Sequence, residues 1–121
     1  MKKHVLIVDD EADIRELLAE FLAISGYRTT TVPSAIEAQR MVAKDPPQLV
    51  ISDLQLEDSD GLEMIGRLKE TLPDTPMMLL TGVLLDPQVV RDILGNKIAA
   101  YLQKTAPLSR ILEEVRQLVG P

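Results

Sequence analysis

The chain has 121 residues, 45% of them hydrophobic and 26% charged, which fits one compact domain with a core that needs no staple. It carries no cysteine and one histidine, which excludes disulfides, thiolate metal sites, thiol nucleophiles and any chemistry that needs two imidazoles. A net charge of -6 argues against a nucleic-acid surface, because phosphate binding needs clustered Lys and Arg. The longest apolar stretch, Met77 to Leu85, is broken by Thr81 and Gly82 and is about half a membrane span. The N-terminal Met-Lys-Lys-His runs straight into an apolar strand pattern, unlike a signal peptide. A soluble, cytoplasmic, acidic single domain covering 1–121 is expected.

Short apolar runs alternate with amphipathic stretches five times. Val5 to Val8 reads as a strand covered on both faces and ends at Asp9-Asp10. Ile14, Leu17, Leu18, Phe21 and Leu22 then recur at helical spacing until Gly26. Tyr27 to Val32 is strand-like. Ser34 caps a second helix carrying Ile36, Met41 and Val42, which ends before Pro46-Pro47. Leu49 to Ile51 is a third strand, ending at Asp53, and after an acidic loop Gly61 opens a helix with Leu62, Met64, Ile65 and Leu68. Met77 to Leu80 is a fourth strand, ending at Thr81. Pro87 starts a fourth helix through Val90, Ile93 and Leu94, with Gly95 as its cap. Ala99 to Leu102 is a fifth strand leading to Lys104, and Pro107 starts a last helix with Leu108, Ile111, Leu112, Val115 and Leu118.

Five strand–helix units in this length predict an α/β fold, a doubly wound parallel sheet with helices on both faces. Such sheets place their site beyond the carboxyl ends of the strands. The residues there are Asp9 and Asp10, Asp53, Thr81 and Lys104. Singly, each has a bland explanation: the acids as helix caps or turn formers, Thr81 as loop chemistry, Lys104 as a solvated strand end. Together they form a chemical set. Three carboxylates in one cleft repel one another unless a cation joins them, and oxygen-only ligands suit Mg²⁺. A lysine adds compensating charge, and a hydroxyl can donate to an anionic oxygen. The set suits phosphoryl transfer to a carboxylate.

The same residues carry a family resemblance. Val-Asp-Asp-Glu at Val8 to Glu11, Ile-Ser-Asp-Leu at Ile51 to Leu54, Asp-Gly-Leu-Glu at Asp60 to Glu63, Leu-Leu-Thr-Gly at Leu79 to Gly82 and Tyr-Leu-Gln-Lys at Tyr101 to Lys104 resemble the receiver domain of bacterial two-component response regulators. The resemblance covers essentially the whole chain. It implies a flavodoxin-like strand order 2-1-3-4-5 and a phosphorylation-switched signalling module, not an enzyme acting on other substrates. It implies Asp53 as acceptor of a phosphoryl group from a sensor histidine kinase or histidine phosphotransfer protein. Asp10 would bind Mg²⁺ directly and Asp9 mostly through water, with Asp53 and the Gln55 backbone carbonyl completing the ligands. Thr81 and Tyr101 would be the switch pair, Thr81 and Lys104 would contact the phosphoryl group, and the face of the fourth helix, fifth strand and fifth helix would control an output domain or effector. A phosphorylation-dependent dimer fits the same scheme; direct binding of nucleic acid or membrane does not.

Three positions depart from the family pattern. Glu57 stands where a proline is usual, followed by Asp58 and Asp60, so a looser loop whose acids add to cation attraction is expected. Thr105 follows Lys104 where proline, often after a cis bond, is common; a trans bond is expected, because a non-proline cis bond costs about 3–4 kcal/mol. Gly82 replaces a common alanine and should open the phosphoryl site. Elsewhere, His4 is expected to be solvated, the methionines to fill core gaps, and Leu84-Leu85 to pack rather than meet a partner.

Two other readings compete. An aspartate-nucleophile phosphatase of the haloacid dehalogenase kind needs an acid two residues after the nucleophile, where Gln55 cannot serve. A flavin- or nucleotide-binding domain would want a glycine- or hydroxyl-rich loop where Asp9-Asp10-Glu11 stands. Whether the domain is free-standing or the first part of a longer regulator is open in the sequence.

Overall fold

The computed structural model describes residues 2–83, 86–94 and 97–121, with the backbone alone at 87, 90, 93 and 94. Its elements run β1 His4–Val8, α1 Ala12–Ile24, β2 Arg28–Val32, α2 Ala35–Lys44, β3 Leu49–Ser52, α3 Gly61–Thr71, β4 Met77–Thr81, α4 Pro87–Leu94, β5 Ala100–Gln103 and α5 Leu108–Val119. The strands form one parallel sheet in the order β2-β1-β3-β4-β5. Gly95 and Leu84-Leu85 lie outside the described residues.

Alternation along each strand splits the core in two. Leu6, Val8, Val50, Met77 and Leu79 face α2 and α3, meeting Ala38, Val42, Met64, Ile65 and Leu68. Val5, Ile7, Leu49, Ile51, Met78 and Leu80 face the other way, onto Leu18 and Leu22 of α1 and Ile111 and Val115 of α5. Each such side chain contributes about 2 kcal/mol by burial, which helices of 10–13 residues need, being marginal alone. Met64, Met77 and Met78 are fully buried, as core fillers should be. The helical stripe is narrower than its spacing suggests. α1 turns Leu18 and Leu22 inward and leaves Leu17 half exposed, and α2 does the same to Ile36.

Several boundaries shift by a residue. β2 begins at Arg28, because Tyr27 is spent elsewhere: its ring is buried and its hydroxyl donates to the Gly120 carbonyl at 2.7 Å. β5 begins at Ala100, and Pro107 is the cap of α5 rather than its first residue. Ser34 caps α2 as expected, accepting the Glu37 N–H at 3.3 Å. No peptide bond is cis among the described residues, so Lys104–Thr105 is trans.

His4 overturns the expectation that it is solvated. It is buried at 1% exposure, because β2 pairs with β1 from His4 onward and Gln48, just before β3, covers the other side, its N–H donating to the His4 carbonyl at 2.8 Å. Its Nε2 lies 2.7 Å from the Thr30 hydroxyl, and its Nδ1 faces Asp45 Oδ1 at 3.8 Å without a hydrogen bond among the described residues. Burial, aided by the charge of Arg28, lowers its pKa, and the opposing charge of Asp45 does not make this up.

Candidate functional site

The sheet continues one residue past the strands and thereby hangs the site. The Asp9 N–H donates to Val32 O at 3.2 Å, the Asp53 N–H to Val8 O at 3.0 Å, and the Lys104 N–H to Thr81 O at 2.8 Å. Each functional side chain thus hangs by its own backbone from the neighbouring strand. Arg15 adds a brace on the first turn, its guanidinium donating to the Asp9 carbonyl at 2.7 Å.

Gly61 lets the next segment close in. Its N–H donates to Leu54 O at 2.7 Å, and a Cβ there would collide with the Asp53 carbonyl oxygen. Only glycine permits this approach of α3 to the end of β3.

Lys104 is the centre of the cleft. Its Nζ lies 2.9 Å from Asp53 Oδ2, 2.9 Å from Asp9 Oδ2 and 2.6 Å from Glu11 Oε1. Partial burial pulls its pKa down, but hydrogen bonds to Glu11, Asp9 and Asp53 outweigh this and hold the ammonium above the ordinary lysine range. Asp9 is raised, because burial disfavours its charge more than the Glu11 N–H and Lys104 favour it, with Asp53 adding repulsion. Asp53 is nearly buried, and its second oxygen, Oδ1, accepts the Leu54 N–H at 2.7 Å. Asp9, Asp10, Glu11 and Asp53 each bring a carboxylate oxygen within 4.8 Å of the others, a hard-oxygen set able to hold a divalent cation.

Thr81 is fully buried beside the cleft. Its hydroxyl oxygen accepts the Val83 N–H at 3.2 Å, and the Tyr101 hydroxyl donates to the Val83 carbonyl at 3.1 Å. One residue, Val83, therefore touches both Thr81 and Tyr101. Gln55 sits on the loop after β3, where it pairs with Asp60 in an isolated antiparallel bridge.

That loop is tethered, contrary to the looseness expected without a proline. Leu56 N–H bonds Ser59 O at 3.1 Å, and two of the loop's acids, Asp58 and Asp60, sit on helix ends. Asp60 caps α3 through the Leu62 N–H at 2.7 Å, and Asp58 accepts the Ala35 and Ile36 N–H groups at 2.9 and 3.1 Å. Those two bonds, the Ala35 one first, lower the Asp58 pKa. Gly82 leaves space beside the lysine: among the described residues a Cβ there would meet only Lys104 Cδ, at 4.0 Å. Of the predicted residues, Asp9, Asp10, Asp53 and Lys104 converge. Glu11 was visible as the third acid of Asp-Asp-Glu but carried no role; Asp58 had no local signal, because its partners lie 22 and 23 residues away.

Among known families, residues 5–116 match the response regulator receiver domain. The chain belongs to that family. This receiver domain is 30% identical over 126 residues to the response regulator MprA of Mycobacterium ulcerans (strain Agy99), an alignment covering 98% of the chain and 51% of the relative. It is 31% identical over 114 residues to the C4-dicarboxylate transport transcriptional regulatory protein DctD of Pseudomonas aeruginosa, covering 94% of the chain and 24% of that protein. The chain thus spans about half the length of the MprA relatives and about a quarter of DctD. The signal receiver domain of an HD domain-containing protein from Pseudomonas fluorescens Pf-5 shares the fold at TM-score 0.88 with 27% identity, covering 98% and 94% of the two chains. The chemotaxis response regulator CheY4 of Vibrio cholerae does so at TM-score 0.88 with 23% identity, covering 98% and 99%. The receiver domain is a signalling module of two-component systems. Among the described residues no helix is long and apolar enough to cross a membrane.

Proposed function

We propose that Asp53 accepts a phosphoryl group from the phosphohistidine of a sensor histidine kinase or histidine phosphotransfer protein, in a Mg²⁺-dependent reaction. The observation that carries this reading is Lys104 Nζ at 2.9 Å from both Asp53 and Asp9, inside a cluster of four carboxylates. An Asp53 oxygen attacks phosphorus in line; the P–O bond forms as the P–N bond breaks, and the imidazole leaves with the bonding pair. The donor set fits Mg²⁺ by kind and charge: Asp10, Asp53 and the Gln55 carbonyl would hold it directly, and Asp9 through water. When bound, it supplies positive charge against the phosphoryl oxygens. Lys104 follows the charge from the carboxylate to the phosphoryl oxygens.

Thr81 then turns its hydroxyl to the new anion and gives up the Val83 N–H, while Tyr101 still holds the Val83 carbonyl. This peptide is the route from the acceptor to the face of α4, β5 and α5, which controls an output domain or effector and offers a phosphorylation-dependent dimer surface. The length of the relatives supports an output beyond a receiver. The partners are read as cytoplasmic proteins, and the -6 charge disfavours direct binding of nucleic acid or an anionic membrane. The only reactions catalysed are the domain's own phosphorylation and dephosphorylation.

Intact-mass spectrometry after acetyl phosphate and Mg²⁺ should show one phosphoryl adduct, abolished by Asp53→Asn and by EDTA. An undiminished adduct in Asp53→Asn overturns the assignment. Turnover of p-nitrophenyl phosphate above a buffer blank, lost in Asp53→Ala, would favour the phosphatase reading instead.

A further inference from the structure

The first four N–H groups of α2 are all satisfied, and by two residues only. Ala38 N–H bonds the Ser34 carbonyl at 3.0 Å and Glu37 N–H its hydroxyl at 3.3 Å. Ala35 and Ile36 donate to the two oxygens of Asp58, which belongs to the loop between β3 and α3. Asp60, two residues on, caps its own helix. Asp58 therefore differs from its acidic neighbours in reaching across the molecule, and its bidentate grip fixes the loop tip against α2.

The loop matters because of what else it carries. Gln55 and Asp60 pair, Leu56 and Ser59 close a turn, and Gly61 closes on Leu54. These bonds fix the shape of the loop, but each joins the loop to itself or to its flanks. Leu54 and Leu56 also pack on the core beneath α2 and α3, but of these hydrogen bonds only the Asp58 clamp ties the loop to a separate element. Mg²⁺ demands near-ideal octahedral geometry, so its affinity is sensitive to the placement of a backbone carbonyl ligand. No proline stiffens this loop between Leu54 and Asp60.

We infer that Asp58 is a positioning residue for cation binding: by clamping the β3–α3 loop to the N-terminus of α2, it places the Gln55 carbonyl for the divalent ion. The inference rests on the reading of the cleft as a Mg²⁺ site. It makes Asp58 neither a ligand nor a phosphoryl contact.

The test is Mg²⁺ titration followed by backbone amide NMR, at about 150 mM salt, where exposed charges are screened beyond ~8 Å. In Asp58→Ala the half-saturating Mg²⁺ concentration should rise about three- to tenfold, at or below the loss expected for a direct outer-shell partner. Asp58→Asn keeps one acceptor and should lie between Ala and the parent. Glu57→Gln removes the same charge from the same loop without touching the clamp, and should stay within about twofold of the parent. At saturating Mg²⁺ the Asp58→Ala rate of phosphorylation by acetyl phosphate should recover to near the parent rate, a split that general loosening of the fold would not give. Half-saturation unchanged in both Asp58 variants overturns the inference, as does an equal rise in Glu57→Gln. A parent protein that shows no Mg²⁺-dependent shifts also overturns it. A parent that binds Mg²⁺ but takes up no phosphoryl group would sink the phosphoacceptor reading, while the clamp would stand on the titrations.

Discussion

The two ends of the sheet both hold buried ionisable groups, and they handle them in opposite ways. At the amino end, Arg28 and Asp45 form a two-pronged pair at 2.6 and 3.1 Å, and His4 beside them is driven towards neutrality by burial. One cation meets one anion, and nothing is left over. At the carboxyl end, Lys104 pairs with Asp9, Glu11 and Asp53, and Asp10 completes a cluster of four carboxylates, of which Asp9 and Asp53 are buried and Asp10 and Glu11 exposed. The two buried carboxylates, Asp9 and Asp53, share a single ammonium, and that surplus is not a stability device, since burying unbalanced charge costs free energy. The strands supply the same apolar support to both ends. Charge balance therefore marks one end as structure and the other as a site, kept short of cations for a ligand to complete.

The sharpest way to break this contrast is to remove the ammonium that the carboxylates of the carboxyl end share. Lys104→Met leaves Asp9 and Asp53 buried without a counter-ion and should cost about 3 kcal/mol in EDTA, the lower edge of what a stranded buried charge costs. Mg²⁺ should recover more of the melting midpoint in this variant than in the parent. Equal midpoints in EDTA would show that the surplus charge is already screened by water. The opposite sign is expected of Asp9→Asn. Because burial raises its folded pKa, Asp9 stabilises the fold only while protonated, at acid pH, and that contribution is gone at pH 7. The neutral side chain should gain roughly 1 kcal/mol in EDTA at pH 7, on the scale of relieved charge repulsion in stabilised variants, while weakening Mg²⁺ binding.

The amino end is tested by pH. His4 faces Arg28 and Thr30 of β2 and Asp45 at the end of α2. Its folded pKa lies below the ordinary histidine value, so its contribution is present above about pH 6.5 and is lost as pH falls through the lowered folded value. Denaturant melts between pH 7 and pH 5 should lose stability with a slope bounded at about 1.4 kcal/mol per pH unit for one proton. His4→Gln should flatten that slope and leave phosphorylation of Asp53 untouched. An unchanged slope would place the titrating group elsewhere.

The carboxyl end was the more legible of the two in the sequence. Continuous apolar runs such as Val5 to Val8 marked buried strands, and a parallel sheet obliges the residues after them to share one edge, so Asp9, Asp53 and Lys104 could be assembled without coordinates. His4 was misread for the same reason that the strands were legible. A polar residue at the start of an apolar run reads as an exposed end, and it is buried by β2 on one side and the Gln48 segment leading into β3 on the other. Leu17 and Ile36 fit the helical spacing, but the spacing admits a wider stripe than the sheet can cover. Asp58 was beyond reach, because a side chain that caps a helix 22 residues earlier leaves no periodic trace.

Two glycines carry the contrast down to the smallest scale. Gly26 leads into β2 at the amino end with φ +106°, a conformation an L side chain rarely adopts, so Gly26→Ala should cost about 1 kcal/mol although the space around it is open. Gly82 follows β4 at the carboxyl end and is not among the positive-φ residues, and among the described residues an added Cβ would find only Lys104 Cδ at ordinary contact distance. Gly82→Ala should therefore stabilise the domain by roughly 0.5 kcal/mol, by restricting the unfolded chain. The glycine of the structural end is required by its backbone; the glycine of the site end leaves room, at a small cost in stability, next to the lysine that must move. Thermal melts of both variants decide the matter: if Gly82→Ala were as destabilising as Gly26→Ala, the space beside Lys104 would be needed by the resting fold itself and could not be attributed to the site.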